Sequence, residues 1–350
     1  MKTLKPCLLV VAACAMFPSL TEAQAKVDAK IPHYEPVKGI AGSLNAMGSG
    51  TLTYLMNKWG EGYKAHYGGV KFQVEGKGSN SAPPALIEGT AQLGPMSRQI
   101  DAKEIDQFEK KFGYKPTEVR VAVDALAVFV HKDNPLTSLT LPQVDAVFGK
   151  NRSLKFKEDV TTWGQLGLTG DWAKKPIRLY GRDTASGTYK YFQEHALGKG
   201  DFKDSVNTSP SPEGVVSLVG SNPEGIGYSG VGNTSSDVKL ISIAKEEGQA
   251  PVSPADQEAV YAGKYPMARY LYIYVNKAPG KTLEPIVTEF LRYVLSAEGQ
   301  EIVVAGQFLP MKAKTVAAEY EKLGIPMPKG SDKPAADASE KKSQKEEKKR

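Results

Sequence analysis

The chain has 350 residues, with 45 Lys and Arg against 39 Asp and Glu, a formal net charge of +6, and two cysteines. A composition of 41% hydrophobic and 24% charged residues is that of an ordinary soluble globular protein, and its length admits two domains or one large one. The 11 Phe, 3 Trp and 16 Tyr exclude wholesale disorder, and two cysteines exclude a disulfide-rich scaffold.

The N-terminus has the grammar of a secretory signal peptide. Lys2 and Lys5 precede an apolar run over 7–17, and Ala23-Gln24-Ala25 is a small-x-small cleavage site. The run is shorter than the ~20 residues of a spanning helix. Cleavage after Ala25 would remove both Cys7 and Cys14 and leave a mature protein without cysteine. Val11-Ala12-Ala13-Cys14 also reads as a lipobox, with Cys14 the lipidation site. No later stretch is apolar over 18 residues, so an exported, non-membrane protein is expected.

Between the ends, strand and helix signals alternate. Residues 70–74 (VKFQV) read as a strand, 83–88 as a helix, and 91–94 as a short strand. The apolar, β-branched run 119–130 (VRVAVDALAVFV) predicts one or two buried strands. A helix opens at 141–148 with Pro142 in its first turn. A strand at 177–180 leads to a helix at 189–197. Short strands follow at 225–228 and 270–275, and amphipathic helices at 283–295 and 297–305. Alternation of this kind predicts parallel sheets covered by helices, an α/β protein. The last twenty residues, 331–350, hold no aromatic or β-branched side chain. They predict a disordered charged tail, either solubilising or a surface-interacting arm.

Three loops combine glycine with Ser or Thr where a helix begins: Gly48-Ser49-Gly50-Thr51, Gly76-Lys77-Gly78-Ser79-Asn80-Ser81, and Arg182-Asp183-Thr184-Ala185-Ser186-Gly187-Thr188. Each could simply cap its helix. Together they also make an anion trap: unpaired N–H groups at helix starts, close backbone approach at glycine, rotatable hydroxyls, and a guanidinium shaped for an oxyanion. Such a trap needs neither metal nor cofactor. His33, His66, His131 and His195 are scattered without partners at zinc-ligand spacing, and Ala185-Ser186-Gly187 is no hydrolase elbow. A Ser–His pair using Ser186 stays open.

The same residues resemble the periplasmic phosphate-binding proteins of phosphate ABC importers. The likeness rests on Gly48–Thr51, Gly78-Ser79-Asn80, residues 86–94 followed by Ser97-Arg98, the Arg182–Thr188 loop, Asn222 to Tyr228, Gly263-Lys264-Tyr265-Pro266, and Leu295 to Gln300. It runs in order over about 39–312. It implies a two-lobed type II periplasmic binding protein, an α/β fold with the ligand cleft between lobes. Lobe one would be 39–125 plus 268–328 and lobe two 126–267, with 123–130 and 270–275 as hinge strands. It also implies a monomeric, non-enzymatic receptor that takes inorganic phosphate to a membrane permease, with no metal, cofactor or nucleic acid. The implied ligands are Gly50, Thr51, Ser79, Ser97, Arg98, Arg182, Ser186, Gly187 and Thr188, with Asp183 holding Arg182. The chain departs from the pattern in three places. Ser97 stands where some members have an Asp that accepts the proton of hydrogen phosphate, which leaves discrimination against sulfate open. Gly50 replaces a hydroxyl residue and Ala185 a glycine.

The charge then divides. Lys2, Lys5 and Glu22 leave +1 in 1–25, and seven basic against five acidic residues leave +2 in 331–350, so 26–330 carries only +3. That balance gives little support to nucleic-acid binding.

Overall fold

The computed structural model describes residues 25–328, so the segment up to Gln24 expected to be a signal peptide, both cysteines and the tail expected over 331–350 lie outside the described residues. From its N-terminus the chain forms strand β1 (Gly42–Met47), helix α1 (Thr53–His66), β2 (Val70–Glu75), α2 (Ala82–Glu88), β3 (Gly94–Met96) and α3 (Ala102–Phe112). The long strand β4 (Thr117–His131) follows, then β5 (Ser138–Thr140), α4 (Leu141–Phe148), β6 (Arg178–Arg182), α5 (Gly187–Ala196), β7 (Asn207–Ser209) and α6 (Pro212–Gly220). Strands β8 (Gly225–Gly230) and β9 (Val238–Ala244), helix α7 (Gln257–Tyr261), strand β10 (Ala268–Val275) and helices α8 (Pro285–Val294), α9 (Ala297–Ala305) and α10 (Ala313–Leu323) complete it. Among the described residues no helix is long and apolar enough to cross a membrane.

The apolar run at 119–130 becomes one strand that serves two lobes. The first half of β4 pairs with β10, from Thr117 to Ala125, and the second half pairs with β8 and β9, from Leu126 to His131. From Val121 onward every residue of β4 is buried, which is why the run lacks the alternation of a half-exposed strand. β1 and β2 pair in parallel, as do β6 with β7 and β6 with β8. The fold is therefore α/β with two lobes, but its sheet is mixed. β4 runs antiparallel to β8, β9 and β10, because a chain that crosses between lobes and returns must bring one strand back the other way. The all-parallel expectation is corrected on this point. So is the strand at 91–94: Thr90 and Ala91 donate their N–H groups to Ala85 O in the turn that ends α2, and the strand proper starts at Gly94.

Packing around α1 anchors the first lobe. Trp59 and Tyr63 are wholly buried; Trp59 Nε1 donates to Gly299 O at 2.8 Å and Tyr63 Oη to Ile286 O at 3.0 Å. Removing about 200 Å² of an aromatic ring from water contributes roughly 5 kcal/mol at 25 cal/mol per Å², an upper bound because the unfolded chain already buries some of it. Each buried ring thus keeps its polar atom satisfied while fixing α1 against α8 and α9. The helix starts are also locally specified. Asp101 and Glu104 form a capping box on α3, and Thr140 and Gln143 another on α4, where Pro142 occupies the first turn.

Candidate functional site

The site is built at the carboxyl ends of β1, β2, β3 and β6, the usual place for a ligand in an open α/β sheet. β1 delivers Ser49 and Thr51, β2 delivers Ser79, and β3 delivers Ser97. β6 ends on Arg182 and feeds the loop that starts α5. The hydroxyls converge although they come from opposite lobes. Thr51 Oγ1 lies 3.1 Å from Thr188 Oγ1, Ser97 Oγ lies 3.5 Å from Thr188 Oγ1 and 3.4 Å from Ser79 Oγ, and Ser49 Oγ donates to Ser97 Oγ at 3.0 Å. All five are buried.

Capping accounts for two of the loop hydroxyls. Ser49 Oγ accepts from Thr51 N and Ser186 Oγ accepts from Thr188 N, so these two hydroxyls cap their helices. Ser186 N in turn donates to Asp183 Oδ1 at 3.1 Å. Ser186 therefore shapes the loop with its side chain, and His195, on α5, lies within hydrogen-bond distance of Tyr191 O through Nδ1. Thr51, Ser79, Ser97 and Thr188 are the hydroxyls that face one another.

Arg182 is the cation of the site and only 1% exposed. Its Nη2 donates to Pro210 O at 2.8 Å, while Nε and Nη1 have no hydrogen-bond partner among the described residues. Burial pulls its pKa down from 12.5 to about 10, partly offset by the nearby charge of Asp183. A buried guanidinium with two unpartnered nitrogens is uncommon in a native structure and points to an anionic partner. Gly50 lies against it: a Cβ there would come 3.2 Å from Arg182 Nη2, so the glycine that replaces a hydroxyl residue makes room for the guanidinium. Gly187 has a similar reason. A Cβ there would sit 2.2 Å from Ser79 Oγ and 2.9 Å from Ser97 Oγ, because the start of α5 presses directly on the hydroxyl cluster.

The structure does not bring Arg98 into the cluster. Its Nη1 and Nη2 donate to Glu104 at 2.7 and 2.6 Å, and the same nitrogens reach Gln99 O and Asn80 Oδ1. That guanidinium is already committed to the α3 start and the second loop. Asp183 contacts the Ser186 N–H and acts on Arg182 through its charge rather than by a direct ion pair.

Two residues not expected from the sequence take part. Arg269, on β10, donates Nη2 to Thr188 Oγ1 at 3.0 Å, Nη1 to Ser97 O at 2.9 Å, and both Nε and Nη2 to Asp124 Oδ2 at 2.9 and 2.7 Å. Its guanidinium also lies over the Tyr191 ring. Asp124, in β4, is completely buried. A lone carboxylate inside a twelve-residue apolar run was the available signal, since a buried charge demands a partner. The partner, 145 residues away, was not readable.

The lobes are closed over the site. Asn80 N and Nδ2 donate to Ala185 O and Thr184 O at 3.3 and 3.0 Å, and Lys190 pairs with Asp101 across the cleft. Gly78 has φ +96°, and a Cβ there would lie 2.4 Å from Ala185 O. Only glycine fits both the dihedral and the approach. A 430 Å³ cleft lined in part by Arg98, Asp101, Lys190 and Arg269 opens beside the cluster.

Comparison with known proteins agrees with this geometry. Residues 34–298 match the family model described as a PBP superfamily domain. The phosphate-binding protein PstS of Pseudomonas aeruginosa is 51% identical over 303 residues, covering 87% of this chain and 94% of that protein. A Clostridium perfringens structure assigned as a phosphate ABC transporter substrate-binding protein, with bound phosphate, superposes with a TM-score of 0.64 at 25% identity, over 77% of this chain and all of that one. An ABC-type phosphate transport receptor from Vibrio cholerae shares the fold, with a TM-score of 0.60 at 21% identity over 77% of this chain and all of that one. The chain belongs to the PBP superfamily and, within it, to the family of periplasmic phosphate-binding proteins of phosphate ABC importers.

Proposed function

We propose that this protein captures inorganic phosphate between its lobes and hands it to the membrane permease of an ABC importer. One observation carries the reading: the buried Arg182 presents Nε and Nη1 without partners among the described residues, beside four hydroxyls drawn from both lobes. A tetrahedral dianion accepts hydrogen bonds on every oxygen, and this set offers charged and neutral donors without a metal. Thr51, Ser79, Ser97, Thr188 and Arg182 are the side-chain ligands. Gly50 and Gly187 bring the backbone close, and Ser186 holds the loop as a cap. The lobe boundary falls at 125/126 and 267/268, where β4 changes partners and β10 begins. Because ligands come from both lobes, phosphate holds the closed form against an open one.

The protein acts as a periplasmic monomer that binds without turning its ligand over, after the signal peptide is removed. The 51% identical PstS relative supports phosphate as the ligand. A second oxyanion remains a reading of its own, because the hydroxyl of Ser97 does not require a protonated ligand. Titration calorimetry of residues 26–350 with phosphate and with sulfate tests both. Saturable phosphate binding at micromolar protein, with weak or no sulfate binding, is expected. Heat with sulfate and none with phosphate would overturn the assignment.

A further inference from the structure

We infer that Arg98 is a positioning residue for ligand retention: through Asn80 it fastens the two lobes at the edge of the anion site and so governs how fast the bound anion leaves. The inference rests on the proposed phosphate site and deepens it, by giving a role to the arginine that the hydroxyl cluster does not use.

Arg98 is only 3% exposed, and its guanidinium is fixed from within its own lobe. Nη1 and Nη2 meet the two carboxylate oxygens of Glu104 at 2.7 and 2.6 Å, a fork-to-fork pair. Nη1 also donates to Gln99 O at 2.9 Å. The same carboxylate accepts from Asp101 N at 2.9 Å, so the guanidinium is tied to the start of α3. From that fixed position Nη2 donates to Asn80 Oδ1 at 2.7 Å.

A guanidinium can only donate. It therefore dictates which way the Asn80 amide faces, with the oxygen toward Arg98 and the nitrogen away from it. The nitrogen meets Thr184 O of lobe two at 3.0 Å, and a carbonyl can only accept. A reversed amide would set donor against donor at Arg98 and acceptor against acceptor at Thr184. Asn80 N adds a second bond across the cleft, to Ala185 O at 3.3 Å. Both receiving carbonyls lie in the loop that runs into Gly187 and Thr188, and Asn80 directly follows Ser79. The fastening thus sits beside the proposed ligands of each lobe. Asn80 and Thr184 are exposed, so their bond competes with water and its contribution is modest. It is made only when the lobes meet, and the anion leaves only when they part. Its loss therefore acts on the rate of departure, where most differences in affinity between variants of one site arise.

The experiment measures phosphate affinity by calorimetry and dissociation by isotope exchange of radiolabelled phosphate. It compares wild type, Asn80→Ala, Asn80→Asp, Arg98→Gln and the double variant Asn80→Ala/Arg98→Gln. Salt of about 1 M shortens the Debye length to about 3 Å and suppresses the long-range effect of the altered charges. Asn80→Ala should speed dissociation about 3–10-fold, with association within about twofold of wild type. Asn80→Asp still accepts from Arg98 but sets a carboxylate oxygen against Thr184 O, and should dissociate about threefold or more faster than Asn80→Ala. Arg98→Gln should resemble Asn80→Ala and add less than about twofold in the double variant, because it acts through Asn80. Wild-type dissociation in the Asn80 variants, or an Arg98 effect that multiplies in full in the double variant, would overturn the inference. Should Arg98→Gln fail to fold, the Asn80 pair still decides, since aspartate is worse than alanine only where Arg98 fixes the orientation of the group. A wild type that binds no phosphate refutes the proposed function instead. Small-angle scattering then reads the fastening: a more open particle for Asn80→Asp supports it, and one identical to wild type overturns it.

Discussion

Replacing Arg182 with Met should make the ligand-free protein more stable while destroying its binding. The guanidinium is 1% exposed, and burial pulls its pKa from 12.5 to about 10. At about 1.4 kcal/mol per tenfold change in proton affinity, the closed, ligand-free site bears a desolvation cost of roughly 3 kcal/mol. Because the folded pKa of this cation is depressed, the cost is present at neutral pH and fades only as pH rises past about 10. Met fills most of the same space without a charge. Against the gain stand the lost bond to Pro210 O, about 1.5 kcal/mol, and imperfect packing. A net gain of about 1–2 kcal/mol corresponds to a Tm rise of roughly 2–4 °C in a protein of this size. Binding moves the other way. Two charge-assisted hydrogen bonds of about 1.5–3 kcal/mol each predict a loss of about 10²–10⁴ in phosphate affinity. Thermal unfolding without phosphate, followed by titration with it, reads both. A Tm that falls by several degrees, or an affinity near wild type, would refute the reasoning about this residue.

Other substitutions probe the closure and the hydroxyls. Gly187→Ala places a methyl 2.2 Å from Ser79 Oγ and should cut affinity about a hundredfold or more while the fold survives, because an open form relieves the clash; small-angle scattering should show a more open particle with phosphate present. Thr188→Val removes the hydroxyl that meets Thr51, Ser97 and Arg269, and an affinity loss of about 5–30-fold at nearly constant volume is expected by calorimetry. Lys190→Gln breaks the cross-cleft pair with Asp101, whose groups are each about a third exposed, so its effect on affinity should stay below about fivefold and shrink in salt.

The parts of this molecule written in local grammar are legible in its amino-acid sequence. The Ser/Thr-Gly loops stand out because a helix start needs caps within three residues, and the same loops carry Thr51, Ser79 and Thr188 to the cluster. Which hydroxyls cap and which face one another across the cleft is not legible, since Ser49 and Thr51 differ only in how the loop turns them. Arg98 sits one residue from Ser97 but faces Glu104, a choice made by α3 packing rather than by spacing. The mixed sheet escapes for a related reason: apolar periodicity reports burial and not strand direction. Asp124 and Arg269 meet only through the pairing of β4 with β10, so only the unexplained charge in an apolar run announces them.

The most direct measurement is equilibrium titration of the mature protein with inorganic phosphate, in competition with sulfate, followed by the same titration of Arg182→Met. Tight one-to-one phosphate binding, insensitive to a hundredfold excess of sulfate and lost in the variant, is the predicted result. Absence of phosphate binding in wild type, or binding that survives without Arg182, would contradict the assignment of this cleft.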